Sequence, residues 1–372
     1  MEEQKVTPQE VTGARKDGVA GAIDYDKLVT AFGTTLIDEA LLIRFSTLTG
    51  KKPHPFLRRG VFFSHRDFNC ILDLYEARKP FYLYTGRGPS SGSLHIGHLV
   101  PFIFCKWLQD VFSVPVVIQL TDDEKYLFRP ELTLKDVQLF AEENAKDIMA
   151  VGFDSKQTLI FTNLSYMNPG LYKNVVKIAR SITYNASKAT FGFNDSDNIG
   201  KSHFVALQGA PAFSDSFPHL FPGEAKVHCL IPMAIDQDPY FRLTRDTAKK
   251  LGYPKPALLH ARFLPGLQGP SGKMSASNES SAIYLSDSPA QIRKKINRLA
   301  YSGGRDTLEE HRQFGGNCDV DVAYQYLSYF LPDDDELASV KERYTKGSLT
   351  TGELKKLCIR VVTDIVIGLQ KV

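Results

Sequence analysis

Five short apolar runs, with amphipathic stretches long enough for helices between them, constrain the fold of this chain more than any other feature. FYLY (81–84), VPVVIQL (114–120), TLIFTNL (158–164), VHCLIPMAI (227–235) and ALLHARFL (257–264) are partly β-branched and read as buried strands. LVPFIFCKWLQDVF (99–112) and TLKDVQLFAEENAKDIMAVG (133–152) are examples of the intervening helical stretches. Strand alternating with helix implies a parallel sheet covered on both faces. Ligands of such sheets sit at the carboxyl ends of the strands. The expected class is α/β: a doubly wound, Rossmann-type domain followed by an all-α C-terminal domain.

The C-terminal change is visible in the caps. In SPAQIRKKINRLA, Ser288 stands as N-cap, Pro289 at the first helical position and Gln291 closes a capping box. Thr350 and Glu353 repeat the box before a stripe of Leu354, Leu357, Cys358, Val361 and Ile365. Residues 25–75 carry mixed helical periodicity, and residues 1 to 20 read as a polar, mobile tail. The expected division is therefore 1–75 as tail and extension, 76–285 as the Rossmann domain and 286–372 as the helical domain. At 372 residues the chain exceeds what one core usually serves.

Composition sets the surroundings. With 45 basic against 42 acidic residues the net charge is +3, so any nucleic-acid site must be local. The five cysteines are scattered, never in a C-x-x-C pair, which argues for reduced thiols and against zinc. No apolar run approaches the roughly 18 residues of a membrane span. A cytoplasmic location is expected, with neither membrane nor DNA as partner.

Two loops carry the chemistry. TGRGPSSGSLHIGHLVPF (85–102) follows the first strand and opens a helix, where backbone N–H groups and the helix dipole favour phosphate. His95 and His98, three apart, share a face and reach one ligand; Gly97 between them lets a flat base approach the backbone. About 175 residues on, QGPSGKMSAS (268–277) places Lys273 among small residues, where it can close over a triphosphate as charge develops on a leaving group.

In this order, each beside a strand, the two loops resemble the HIGH and KMSKS motifs of class I aminoacyl-tRNA synthetases. The last two positions of the second motif depart from the common form, reading Ala276 and Ser277. YTGRGPSS (84–91), VIQLTDDEKYL (117–127), FGFNDSDNIGK (191–201), AIDQDPYFR (234–242) and YSGGRDTLEEHRQFGGNCDVDV (301–322) are similar to the tryptophan-specific family of eukaryotic and archaeal type. An H-x-G-H after a first strand also occurs in nucleotidyltransferases acting on small metabolites, which lack the second loop. A synthetase-derived binding protein without turnover remains a third reading, although His95, His98, Lys273 and Ser275 are all present.

The resemblance implies ATP, with magnesium, L-tryptophan and tRNA(Trp) as substrates, no tightly bound metal, and a homodimer. His95, His98, Lys273 and Ser275 are expected to be catalytic, and Gly86, Arg87, Gly97 and Met274 to meet ATP. An indole offers one N–H donor on a large apolar body, so its pocket needs one buried acceptor. Tyr84 and Gln119, near the ends of the first two strands, are placed at the indole by the resemblance. Glu124 would pair with the ammonium group, Lys125 would reach the carboxylate, and Gln208 and Gln237 are further contacts to the amino-acid head. Arg305 and Asp306, in SGGRD, are expected near the anticodon. The run RKKINR (293–298) could meet the RNA backbone. The family's chain continues past the last helix to pack on the catalytic domain; here the sequence ends at Val372.

Overall fold

The five apolar runs form the parallel core of a seven-stranded sheet in the computed structural model, which describes residues 3–8, 10–16, 19–223, 226–275 and 279–371. The strands are β1 (Thr35–Leu36), β2 (Phe62–Arg66), β3 (Phe81–Arg87), β4 (Val116–Leu120), β5 (Thr158–Thr162), β6 (His228–Ala234) and β7 (Ala257–Ala261). They lie in the order β1-β2-β7-β6-β3-β4-β5. From β7 to β5 all neighbours are parallel. The order reverses between β3 and β6, since β4 and β5 wind outward on one side and β6 and β7 on the other. Doubly wound sheets bind ligands at that reversal.

Helices α1 (Ile96–Phe112), α2 (Asp122–Phe128), α3 (Asn163–Tyr166), α4 (Pro169–Ser181), α5 (Ile199–Gly209) and α6 (Asp238–Ala248) lie within the α/β body. Every named element after Ser288 is a helix, beginning with Pro289–Leu299 and ending with Thr351–Gln370. The capping boxes at Ser288 and Thr350 are both formed. One apolar core runs from Phe45 and Phe62 through Phe104 to Tyr326, Leu354 and Val366, so the C-terminal helices share it with the sheet. Their Tyr326 and Tyr329 hydroxyls donate to the carbonyls of Pro265 and Phe263, at 3.0 and 3.1 Å. Those two bonds brace the segment that leads to Lys273.

Two expectations about the N-terminal part are corrected. Residues 25–75 hold strands as well as helices: β2 pairs antiparallel with β7, and β1 with β2, which extends the sheet at its edge. Its FFSHR run is only five residues long, and the helical stretches on either side mask it. The polar tail is also structured where described. Lys5–Val6 pairs with Val11–Thr12, and Thr12 lies opposite Gly272 in the strand that ends at Lys273. A charged, alternating sequence that gains its partners from residue 269 onward gives no local sign of this.

Strand β2 is tied to the body by a buried polar line. Arg66 grips Asp238 with Nε and Nη2 at 2.8 and 3.0 Å, Asp238 meets His260 at 3.0 Å, and the other His260 nitrogen meets Ser64 at 3.0 Å. Asp238 and His260 have no exposed surface. Asp238 follows directly on Gln237, so the line also fixes the turn at the end of β6. Asp238→Ala removes one partner and leaves a guanidinium uncompensated, which should lower unfolding free energy by about 3 kcal/mol in urea titration. A change below about 1 kcal/mol would contradict that account.

Candidate active site

A cleft of about 560 Å³ opens at the reversal of strand order. Its walls come from the ends of four parallel strands: Gly86 and Arg87 of β3, Thr121, Glu124 and Lys125 beyond β4, Asp236 and Gln237 beyond β6, and Arg262 beyond β7. The N-terminus of α1 and the segment Lys273–Ser275 complete it. Segments about 175 residues apart thus meet across one space. Pro8, from the N-terminal hairpin, also reaches its rim.

His95 is the N-cap of α1, with extended φ and ψ of −100° and 162°. Its ring stacks on that of His98, centroids 3.3 Å apart and planes at 19°. A Cβ on Gly97 would lie 3.1 Å from His95 Nδ1, so glycine here makes room for that ring. This is a tighter reason for the glycine than approach of a base. The His95 N–H donates to His98 Nδ1 at 3.3 Å, which leaves the His98 proton on Nε2. Burial, and then the positive charge of Arg87, hold both imidazoles well below the usual histidine range. They are neutral hydrogen-bonding groups at physiological pH, not proton carriers. Both ring nitrogens of His95 are buried without a protein partner, as expected of a side chain that awaits a polar ligand.

Lys273 reaches across to Asp236, Nζ to Oδ2 at 2.6 Å, while Asp236 is almost fully buried. Asp236 was missed by the sequence reading, although it stands in AIDQDPYFR. The signal available was its position, an acid just past a strand's carboxyl end. Arg87 donates to Ser90 at 3.2 Å, and its Nε has no protein partner. Burial pushes its guanidinium down to about 10, in spite of Glu124. Met274 is buried, with its N–H on the Leu264 carbonyl at 2.9 Å. The Ser275 carbonyl accepts from Ser281 at 3.0 Å. Ala276 and Ser277 lie outside the described residues.

The residues expected to meet the amino acid divide into two groups. Glu124, Lys125, Gln208 and Gln237 line the cleft. Lys125 is paired with Glu124 at 2.8 Å, and Glu124 also accepts from Thr121 at 3.1 Å. A Cβ on Gly88 would lie 2.3 Å from the Glu124 carboxylate and 2.4 Å from Lys125 Cε, so a side chain at this second glycine, also missed, would push the ends of that pair aside. Tyr84 and Gln119 are wholly buried, bonded to each other at 2.5 Å, and do not line the open cleft. They sit one layer behind it, where the Tyr84 hydroxyl also lies 2.9 Å from the Gln208 carbonyl. Arg305 and Asp306 are exposed in the helical region and are not brought to the cleft. Among the described residues, no three His, Cys, Asp or Glu side chains gather as metal ligands.

Comparison with known proteins places the chain in a family. The family described as tRNA synthetases class I (W and Y) matches residues 76–196 and 221–366. The cytoplasmic tryptophan--tRNA ligase of Schizosaccharomyces pombe is 61% identical over 370 residues, covering 100% of this chain and 94% of that protein. The cytoplasmic enzyme of the same name from Homo sapiens is 60% identical over 349 residues, 93% of this chain and 74% of that one. The solved structure of tryptophanyl-tRNA synthetase from Giardia lamblia superposes with a TM-score of 0.89 at 46% identity, covering 93% and 92% of the two chains.

A depressed histidine has a definite effect on stability. Between its folded value and about 6.5 the unfolded chain binds a proton that the native state refuses, so stability falls as pH drops below 6.5. For His95, almost fully buried, this amounts to about 1 kcal/mol by pH 5.5. The loss of unfolding free energy between pH 7.5 and 5.5, measured without ligand, should therefore be smaller in His95→Asn by about that amount. Equal losses in the two proteins would mean that His95 is protonated in the fold.

Proposed function

The chain belongs to the class I tRNA synthetases for tryptophan and tyrosine, and from that premise we propose how its cleft divides the work of joining tryptophan to tRNA. The activity is that of a tryptophan--tRNA ligase: tryptophan is activated with ATP to an adenylate and then transferred to tRNA. Its relatives are named cytoplasmic, and so is the compartment inferred here.

In our reading, the tryptophan carboxylate attacks the α-phosphorus of ATP in line and pyrophosphate leaves. The carboxylate is already ionised, so neither a covalent nucleophile nor a general base is needed. Catalysis is positioning and charge stabilisation. His95 and His98 donate hydrogen bonds to phosphate oxygens as neutral imidazoles. Lys273 exchanges Asp236 for the phosphates, and Ser275 helps hold the departing pyrophosphate. Gly86, Arg87, Gly97 and Met274 shape the nucleotide site, and magnesium enters with ATP as part of the substrate. Glu124, Lys125, Gln208 and Gln237 hold the amino-acid head, with Tyr84 and Gln119 behind them at the indole. The observation that carries this reading is the meeting of the two histidines with Lys273 across a cleft at the strand reversal.

The second reaction transfers the tryptophanyl group to the 3′-terminal adenosine of tRNA(Trp). We assign catalysis to residues 76–285 and anticodon reading to 286–372, with Arg305 and Asp306 as contacts; their exposure supports this. A homodimer is part of the proposal. It is supported by exposed Tyr172 and Val176, one turn apart on α4, and by exposed Tyr184 and Ile199 on helices of the same region.

Pyrophosphate exchange into ATP, run with each of the twenty amino acids, should proceed with tryptophan alone; exchange with tyrosine would overturn the pocket. Lys273→Ala should slow adenylate formation about 10²-fold and leave tryptophan binding nearly intact. Gln119→Leu should weaken tryptophan at least about tenfold while ATP binding changes little in isothermal titration.

A further inference from the structure

A line of hydrogen bonds runs from Tyr84 and Gln119 through Asn163 and Asp123, to which nothing above gives a role, to the backbone of Glu124. The Tyr84 hydroxyl donates to Gln119 Oε1. Gln119 Nε2 donates to Asn163 Oδ1 at 2.8 Å and to the Leu207 carbonyl at 3.3 Å. Asn163 Nδ2 donates to Asp123 Oδ1 at 2.7 Å, and the same oxygen accepts the Glu124 N–H at 2.8 Å. Gln119 and Asn163 are both buried, out of reach of solvent that could replace a lost partner.

The two ends of an amide have nearly the same shape but opposite hydrogen-bonding character. Which end of Gln119 faces Tyr84 therefore decides whether the pocket accepts from a ligand or donates to it. Two fixed points settle the orientation. Leu207 offers a backbone carbonyl that can only accept, so it draws Gln119 Nε2. Asp123, ionised, can only accept as well, so Asn163 must turn its NH2 to it and its oxygen to Gln119. Burial raises the Asp123 carboxyl to about 6, against the bond from Asn163, and the neighbouring acids Asp122 and Glu124 add to the rise. At pH 8 it is a carboxylate. Asn163 lies at the start of α3 and Asp123 in the first turn of α2, so both are held by backbone.

We propose that Asn163 and Asp123 are positioning residues for tryptophan selection, which lock the Gln119 amide with its oxygen toward Tyr84 so that the pocket offers acceptors to the indole N–H. This rests on the reading of Tyr84 and Gln119 as the indole contacts. A polar site that fixes its orientation rejects a ligand without the matching group, because its buried acceptors are then left unpaired.

The probe is a tryptophan analogue with ring sulfur in place of N–H, β-(benzothiophen-3-yl)alanine. It is compared with tryptophan in pyrophosphate exchange at pH 8 on the full chain. The unmodified protein should favour tryptophan in kcat/KM by about 10²-fold. Asn163→Leu should cut that preference about tenfold, mainly through KM for tryptophan, with KM for ATP within about twofold. Asp123→Asn, which replaces an obligate acceptor by an amide free to turn, should cut it about threefold and decides the matter if Asn163→Leu does not fold. Equal loss for tryptophan and analogue would mark a merely structural role and overturn the proposal. If Gln119→Leu abolishes the preference while Asn163→Leu and Asp123→Asn keep it, the relay fails and the pocket stands. If Gln119→Leu keeps the preference as well, the pocket reading itself is what has failed.

Discussion

The pairing of β3 with β6 is short, and the site depends on where it stops. The two strands are in register only from Phe81 opposite His228 to Leu83 opposite Leu230. Beyond this, β3 stays paired to β4 as far as Arg87, and β6 to β7 as far as Ala234. Pro232 helps to explain the end of the ladder. Its carbonyl faces β3, where the Thr85 hydroxyl takes it at 3.1 Å, and in a parallel strand the missing N–H would face the same way. With no donor there, the strands part, and Thr85, Arg87 and Asp236 are left around an open space.

That space is electrostatically arranged before any ligand arrives. Arg87 and Lys273 bring positive charge into a partly dry cleft, and Asp236 and Glu124 hold it in place. Burial first, and then that field, make two further cations costly, and both histidines are held well below their usual range. A triphosphate offers better partners to Lys273 than one carboxylate does, so the pair with Asp236 is suited to exchange. The proposed adenylation uses this difference, and oriented donors meet charge as it develops.

The amino-acid side of the cleft follows another rule. In the proposed reading, selectivity comes from orientation of neutral amides, fixed by Asn163 and Asp123, which do not line the cleft. Such arrangements depend on complete satisfaction of buried polar atoms, since one unpaired group costs more than one bond contributes. Tyr84, Gln119, Asn163 and Asp123 belong to four different elements. Only the sheet and the helices at its edge bring them into line.

Alternation of strand and helix, the helical C-terminal region with its caps at Ser288 and Thr350, and the two loops bearing His95, His98 and Lys273 are legible in the order of residues alone. These are local patterns: runs of apolar residues, spacings of three, small residues around a charge. The remaining features rest on partners far apart in the chain. The strand Phe62–Arg66 exists because β7 pairs with it, and the N-terminal hairpin because it meets the strand before Lys273. The bond from Lys273 singles out Asp236 among the acids that follow strands, and the Gln119 amide brings Asn163 and Asp123 into one line. A hydrogen bond or a sheet edge joins residues by distance in space, and a local pattern carries no record of that distance until the chain has closed on itself.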